Sequence, residues 1–275
     1  MRKFSFFVNK RPKAGSSLVR GLQIVEYMRS QNRDVELNPA SGFDENICIY
    51  VKGFNYLPGK YSYLDIVDSG HRALIAHNLI TLTERTRDYL LVVTEGKNIR
   101  VVRQQHCNFE REKREEREVT TVGFVGAQGS LQIDGREFAK LLLERGLEFI
   151  YEDNCMTRDD VVNLYKKIDI QVAYRPSLDN LHPHRSLSWY KDSLKIYNAG
   201  SFGIPTVAYP DPCFVYDFKD YFVEARTMEE MADGCAELKN NTSLYKEMSE
   251  KILLKSEEYH ISNIINDYYA LDEEE

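Results

Sequence analysis

The chain has 275 residues, a formal net charge of −7 and 43% hydrophobic residues, a balance that sets aside disorder and allows one large domain or two modest ones. No apolar run is long enough to span a bilayer, and the opening MRKFSFFV breaks at Asn9-Lys10-Arg11, too soon for a secretory signal, so a cytoplasmic protein with no membrane partner is expected. The five cysteines (Cys48, Cys107, Cys155, Cys213 and Cys235) are scattered and never at metal-ligand spacing, and they read as reduced thiols with no metal site.

Taken in chain order, 3–9 reads as a buried strand. A helix follows over 17–31, with Leu18, Leu22, Val25 and Met28 on one stripe behind a Gly15-Ser16-Ser17 turn. Strands are predicted at 35–38, 47–52, 63–67, 89–94 and 99–102, and a helix at 71–83. Basic residues crowd this start: Arg2, Lys3, Lys10, Arg11, Lys13, Arg20, Arg29 and Arg33. They read either as a solvated face or as a surface for a polyanion, although the net acidity opposes a generic nucleic-acid binder.

Residues 110–118, EREKREERE, have almost nothing to bury, and they lie between two strand-rich halves. A domain boundary near 108–120 follows, giving domains 1–118 and 119–275. The second half alternates again: strand 120–125, helix 135–145, strand 148–151, helix 158–167, strand 168–174, helix 193–202, strand 206–209, then helices 227–240 and 243–269. Strands separated by helices imply an α/β chain of two Rossmann-like, doubly wound parallel-sheet domains, for which a ligand cleft between them is the expected active region.

Lys195-Ile-Tyr-Asn198-Ala199, followed by Gly203-Ile-Pro205-Thr-Val-Ala208, resembles the Lys-x-x-Glu-Ala-x-x-x-Gly-x-Pro-x-x-Ala signature of nucleotide-sugar glycosyltransferases of GT-B architecture. The resemblance is to the group with a glycogen-synthase-like C-terminal donor domain. Thr121-Val-Gly-Phe-Val-Gly126 is similar to that domain's first strand, and the run from Asp160 to Ser177 to its helix and strand leading to the donor loop. Matches in the first half, Leu64-Asp-Ile-Val-Asp68 and Val102 to Asn108, are looser. The final helices are similar to those that cross back toward the N-terminal domain.

This resemblance implies transfer of a sugar from a nucleotide diphosphate sugar, UDP-linked in the first instance, with the donor as co-substrate, no other cofactor and no metal. A diphosphate is best held by a helix N-terminus and cations. Lys195 would meet the phosphate, Asn198 a ribose hydroxyl, and Gly126 would line the donor turn, while the loop ahead of the helix offers Arg175, His182, His184, Arg185 and Lys191. In the first half, Lys13, Gly15 and Ser16 resemble the family's glycine-containing loop. Asp68 and His71 are candidates for a general base, although Asp68 could equally cap the following helix, and His106 is a second candidate.

One departure bears on chemistry. The two glutamates that many retaining members carry eight positions apart fall here on Tyr190 and Asn198. Four readings therefore stay open: a transferase acting on hydroxymethylated pyrimidines in DNA, a transferase acting on a saccharide, a catalytically silent nucleotide-sugar binder, and an epimerase of the same architecture.

Overall fold

The computed structural model describes residues 2–9, 15–126, 130–152, 157–176 and 190–273, with only the backbone at 70–72. The chain divides into two compact units: Met1–Gln105 with Trp189–Asp192 and Ile261–Glu275, and His106–Ser188 with Ser193–His260. Residues 106–118 thus group with the second unit.

The first unit begins with β1 (Phe4–Phe7), then α1 (Gly15–Ser17), which runs through a π-helical turn at Leu18–Leu22 into α2 (Gln23–Ser30). β2 (Val35–Leu37), β3 (Ile47–Val51) and β4 (Ser62–Asp65) follow, then a 3-10 turn Gly70–Ile75, β5 (Asn78–Thr81), α3 (Glu84–Val93) and β6 (Asn98–Val101). All pairings are parallel, in the order β2-β1-β3-β4-β5-β6. Every residue of β3, ICIYV, is buried, as a parallel strand covered on both faces requires.

Two elements within 71–94 differ from expectation. The helix predicted over 71–83 is a 3-10 turn followed by β5, which pairs with both β4 and β6, so sheet pairing outweighed local helical pattern. The strand predicted over 89–94 is the second half of α3, whose start is capped by Thr83 accepting from the Thr86 amide at 3.1 Å. Its Leu-Leu-Val-Val read as a buried strand, yet Leu91, Val92 and Val93 are exposed.

Arg20, on the π-helical turn, is fully buried and does not face solvent as a phosphate-seeking cation. Its Nε lies 2.8 Å from Asp65 Oδ2 at the end of β4, and its Nη1 donates to the Arg103 carbonyl at 2.7 Å. Burial opposes its charge, but Asp65 overcomes that and raises the guanidinium above its ordinary value.

The second unit opens with residues 106–120, which form no helix or strand. The charge run is instead drawn onto the unit by Asp169, whose Oδ1 accepts from Arg114 Nε (2.9 Å) and Arg117 Nε (2.8 Å) while Oδ2 accepts from the Thr120 and Thr121 amides. Burial works against the Asp169 charge, but those amides hold the carboxyl below its ordinary value.

Then come β7 (Thr121–Val125), α4 (Gly135–Glu144), β8 (Glu148–Glu152), α5 (Arg158–Lys167), β9 (Ile170–Ala173), α6 (Leu194–Gly200), β10 (Thr206–Ala208), α7 (Pro212–Phe218), β11 (Val223–Glu224), α8 (Met228–Asn240) and α9 (Thr242–Ser256). The sheet is parallel in the order β11-β10-β9-β7-β8. The short α7 and β11 were not expected. α5 was, and Thr157 and Asp160 start it with a reciprocal capping box ahead of an apolar stripe. The long helix predicted over 243–269 is broken after α9 by a 3-10 turn, Glu257–Tyr259, and the extended His260. α10 (Ile261–Tyr269) then completes the first unit, with Tyr268 5.6 Å from Phe6 and Asp267 paired with Arg103 at 2.9 Å.

Candidate functional site

In the second unit the chain passes from β7 to β8 on one side and returns to β9 on the other, so the strand order reverses at β7 and β9. The carboxyl ends of those two strands are where an open parallel sheet binds a ligand. Lys195, on the first turn of α6, reaches this point. Its ammonium donates to the carbonyl of Val125, the last residue of β7, at 2.9 Å and lies 4.4 Å from the centre of the Phe124 ring. Gly126 follows, and a Cβ there would come within 2.2 Å of Lys195 Nζ. The fold therefore brings together two of the expected site residues, Gly126 and Lys195.

α6 has seven residues, and its N-cap Ser193 donates its hydroxyl to the Cys213 carbonyl at 3.0 Å and accepts no hydrogen bond from the first amides of the helix. Gly200 serves packing: a Cβ there would strike Ile252 and Ser256 of α9 at 2.3 Å.

The remaining candidates are distributed as follows. Arg175, past the end of β9, is 8% exposed and pairs at 2.8 Å with Asp211, which in turn caps α7 by accepting from the Cys213 amide at 3.2 Å. Its charge is committed to fastening the ends of β9 and β10. Asn198, expected at a ribose, accepts the Cys107 amide on Oδ1 at 2.9 Å. Lys191 falls in the stretch that groups with the first unit, where its carbonyl accepts from Arg85 Nη2 at 2.8 Å. Beside it Tyr190 packs against Tyr89 in that unit's core, and burial pushes its phenol up to about 12. Arg185, His182 and His184, like Arg11 and Lys13, lie outside the described residues.

In the first unit, Gly15 and Ser16 open α1. Asp68 pairs with Lys52 at 2.7 Å beyond the carboxyl ends of β4 and β3. The residue ahead of the 3-10 turn is Ser69 and no side chain caps it, so the capping role considered for Asp68 is not the one it plays. The His71 backbone lies in that turn, and its side chain is outside the description. His106 is buried in the second unit, its Nδ1 accepting the Asn108 amide at 3.2 Å. Burial and the neighbouring His260 push it down to about 3, too low for a general base at neutral pH.

Sequence reasoning missed Phe124, read only as part of a strand, because alternation cannot show which ring a lysine far along the chain will cover. It also missed Asp211, for which the Asp-Pro ahead of α7 was an available helix-start signal. A cavity of about 670 Å³ opens at the opposite, amino-terminal edge of this sheet, lined among others by Arg114, Tyr245, Lys246 and Ser249. Its Arg114 and Arg117 are held by Asp169, and none of the expected site residues among the described residues lines it, so the end carrying Lys195 is the better chemical candidate.

No family model matches the chain. It is 30% identical over 132 residues to a protein of Haemophilus influenzae named an uncharacterized glycosyltransferase, covering 41% of this chain and 36% of that relative. The chain thus spans about a third of the curated relative it matches. Among solved structures it resembles Staphylococcus aureus TarM, in a complex that includes UDP, at a TM-score of 0.55 and 15% identity over 82% of this chain and 55% of that one. It also resembles Anabaena HepE, in complex with UDP and glucose, at a TM-score of 0.65 and 10% identity over 99% of this chain and 100% of that one. The two parallel sheets, the glycine turn met by Lys195 and these likenesses place the chain in the GT-B glycosyltransferase fold.

Proposed function

We propose that this chain is a glycosyltransferase that takes a sugar from a nucleotide diphosphate sugar, UDP-linked, and transfers it to a hydroxyl, with Lys195 holding the donor diphosphate. The observation that carries this reading is the Lys195 ammonium at the carboxyl end of β7, against Gly126, where the strand order reverses. A compact cation at a glycine turn accommodates a phosphoryl group closely, and the turn leaves no Cβ in its way. Structures resembling this fold hold UDP. Lys13, Gly15, Ser16 and Arg185 belong to the same proposal as further donor contacts. No cofactor beyond the donor enters it.

For deprotonating the acceptor we propose Asp68, paired with Lys52, together with His71. Asp68→Asn should lower transfer by about 10²-fold or more while leaving UDP affinity within twofold, as for loss of a general base. Equal loss of both would remove Asp68 from this role.

The acceptor we favour is a saccharide hydroxyl. Hydroxymethylated DNA would need a free basic face, whereas Arg2 is paired with Asp272, Lys3 with Asp34 and Glu36, and Arg20 is buried against Asp65. The deciding experiment incubates the chain with a panel of UDP-sugars and either saccharides or hydroxymethylated duplex DNA, and reads products by mass spectrometry. Transfer to DNA, weakening with salt as counterion release demands, would overturn the saccharide reading. Lys195→Ala should weaken UDP by about 10- to 100-fold, the worth of one charge-assisted hydrogen bond. A catalytically silent binder is the second reading, favoured by the engagement of Asn198 Oδ1 with the Cys107 amide and of Tyr190 in a core. It predicts tight UDP binding with no turnover on either acceptor.

A further inference from the structure

Resting on the donor reading of Lys195, we infer that Phe124 is a positioning residue for the donor: its ring holds the Lys195 ammonium at the height where it meets the diphosphate. Lysine carries its charge on a flexible four-carbon stem, so a lysine that binds tightly must have its freedom removed before the ligand arrives. Here the removal is visible. The ammonium lies 4.4 Å from the Phe124 ring centre, within cation–π range, and the Val125 carbonyl accepts from it at 2.9 Å.

The ring cannot yield. Phe124 is fully buried in the second unit's core, and its cross-strand partner Tyr151 on β8 stands with its ring 5.7 Å away. Gly126 completes the arrangement, because a Cβ there would approach the Phe124 ring to 3.0 Å as well as the ammonium to 2.2 Å. Backbone carbonyl, aromatic face and missing side chain thus define one position for the charge. An aliphatic residue at 124 would fill the core without offering the ammonium an aromatic face.

The test is UDP titration, by calorimetry, of the wild type, Phe124→Leu, Lys195→Ala and the double variant. A second series replaces Phe124 by mono-, di- and trifluorophenylalanine, which keep the ring's shape while draining its negative face. Phe124→Leu should weaken UDP about three- to tenfold, and the fluorinated series should weaken it progressively at constant melting temperature. Neither change should have an effect in the Lys195→Ala background. Unchanged affinity across the fluorinated series, or an equal loss with Lys195 removed, would overturn the inference while leaving the donor reading standing. A wild-type chain that does not bind millimolar UDP would overturn both.

Discussion

Lys195 Nζ and Val125 O lie 2.9 Å apart although their residues are 70 positions apart in the chain. That contact ties the first turn of α6 to the last residue of β7, and it leaves no room for a side chain at position 126. Gly126→Ala should therefore displace the ammonium and weaken UDP by about tenfold, equivalent to 1.4 kcal/mol. The Cβ would also crowd the buried Phe124 ring at 3.0 Å, so a fall in melting temperature should accompany the weaker binding. Calorimetric titration beside thermal unfolding checks both halves.

The Arg175–Asp211 pair is the stability counterpart. Its side chains are almost completely buried, so removing one partner strands the other. Arg175→Ala should cost about 3–5 kcal/mol in urea unfolding, and Arg175→Met with Asp211→Asn, which removes the charge and keeps an acceptor for the Cys213 amide, should recover much of that loss. If Arg175→Ala instead weakened UDP strongly at unchanged stability, the guanidinium would be a donor ligand and not a brace.

Asn198 offers a finer discrimination. Its Oδ1 is the acceptor for the Cys107 amide, so Asn198→Ala leaves that N–H without its partner and should cost about 1–3 kcal/mol. Asn198→Asp keeps an acceptor in place and should stay near wild type. Equal destabilisation by both would show that the amide group matters for some other contact.

Stability should also fall in mild acid because of His106. Its folded-state value, about 3, lies below the ordinary 6.5, so the unfolded chain takes up a proton that the folded chain refuses. The native state is unpenalised above 6.5 and loses stability progressively as pH falls from 6.5 toward about 3. His106→Gln should flatten this acid limb in a series of denaturant midpoints from pH 7 to 4. An unchanged limb would assign the loss to other groups.

Much of the fold was legible because most elements carry their own signals. Thr157 and Asp160 start α5 by a capping box, and the wholly apolar β3 announces a strand covered on both faces. The misreadings fell where local pattern and environment disagree. Leu91 to Val93 look like core and lie in solvent, and β5 looks helical yet fills a gap between two strands. Lys195 and Gly126 were both singled out and the fold brings them together; Arg175 and Asn198 were singled out too, but a linear reading does not reveal that each has a partner far along the chain, Asp211 and the Cys107 amide.

By itself the sequence determined that the chain is α/β with two strand-and-helix halves, and that a lysine stands one turn before an asparagine ahead of a tight helix-to-strand passage. Periodicity, caps and turn residues act over a few positions, and those are what a linear reading can weigh. Only the tertiary structure decided that Lys195 rests on Phe124 and Val125, that the charge run follows Asp169, and that the last helix joins the first unit. Each of those depends on desolvation and close approach between residues far apart in the chain, whose energies exist only once the backbone has brought them together.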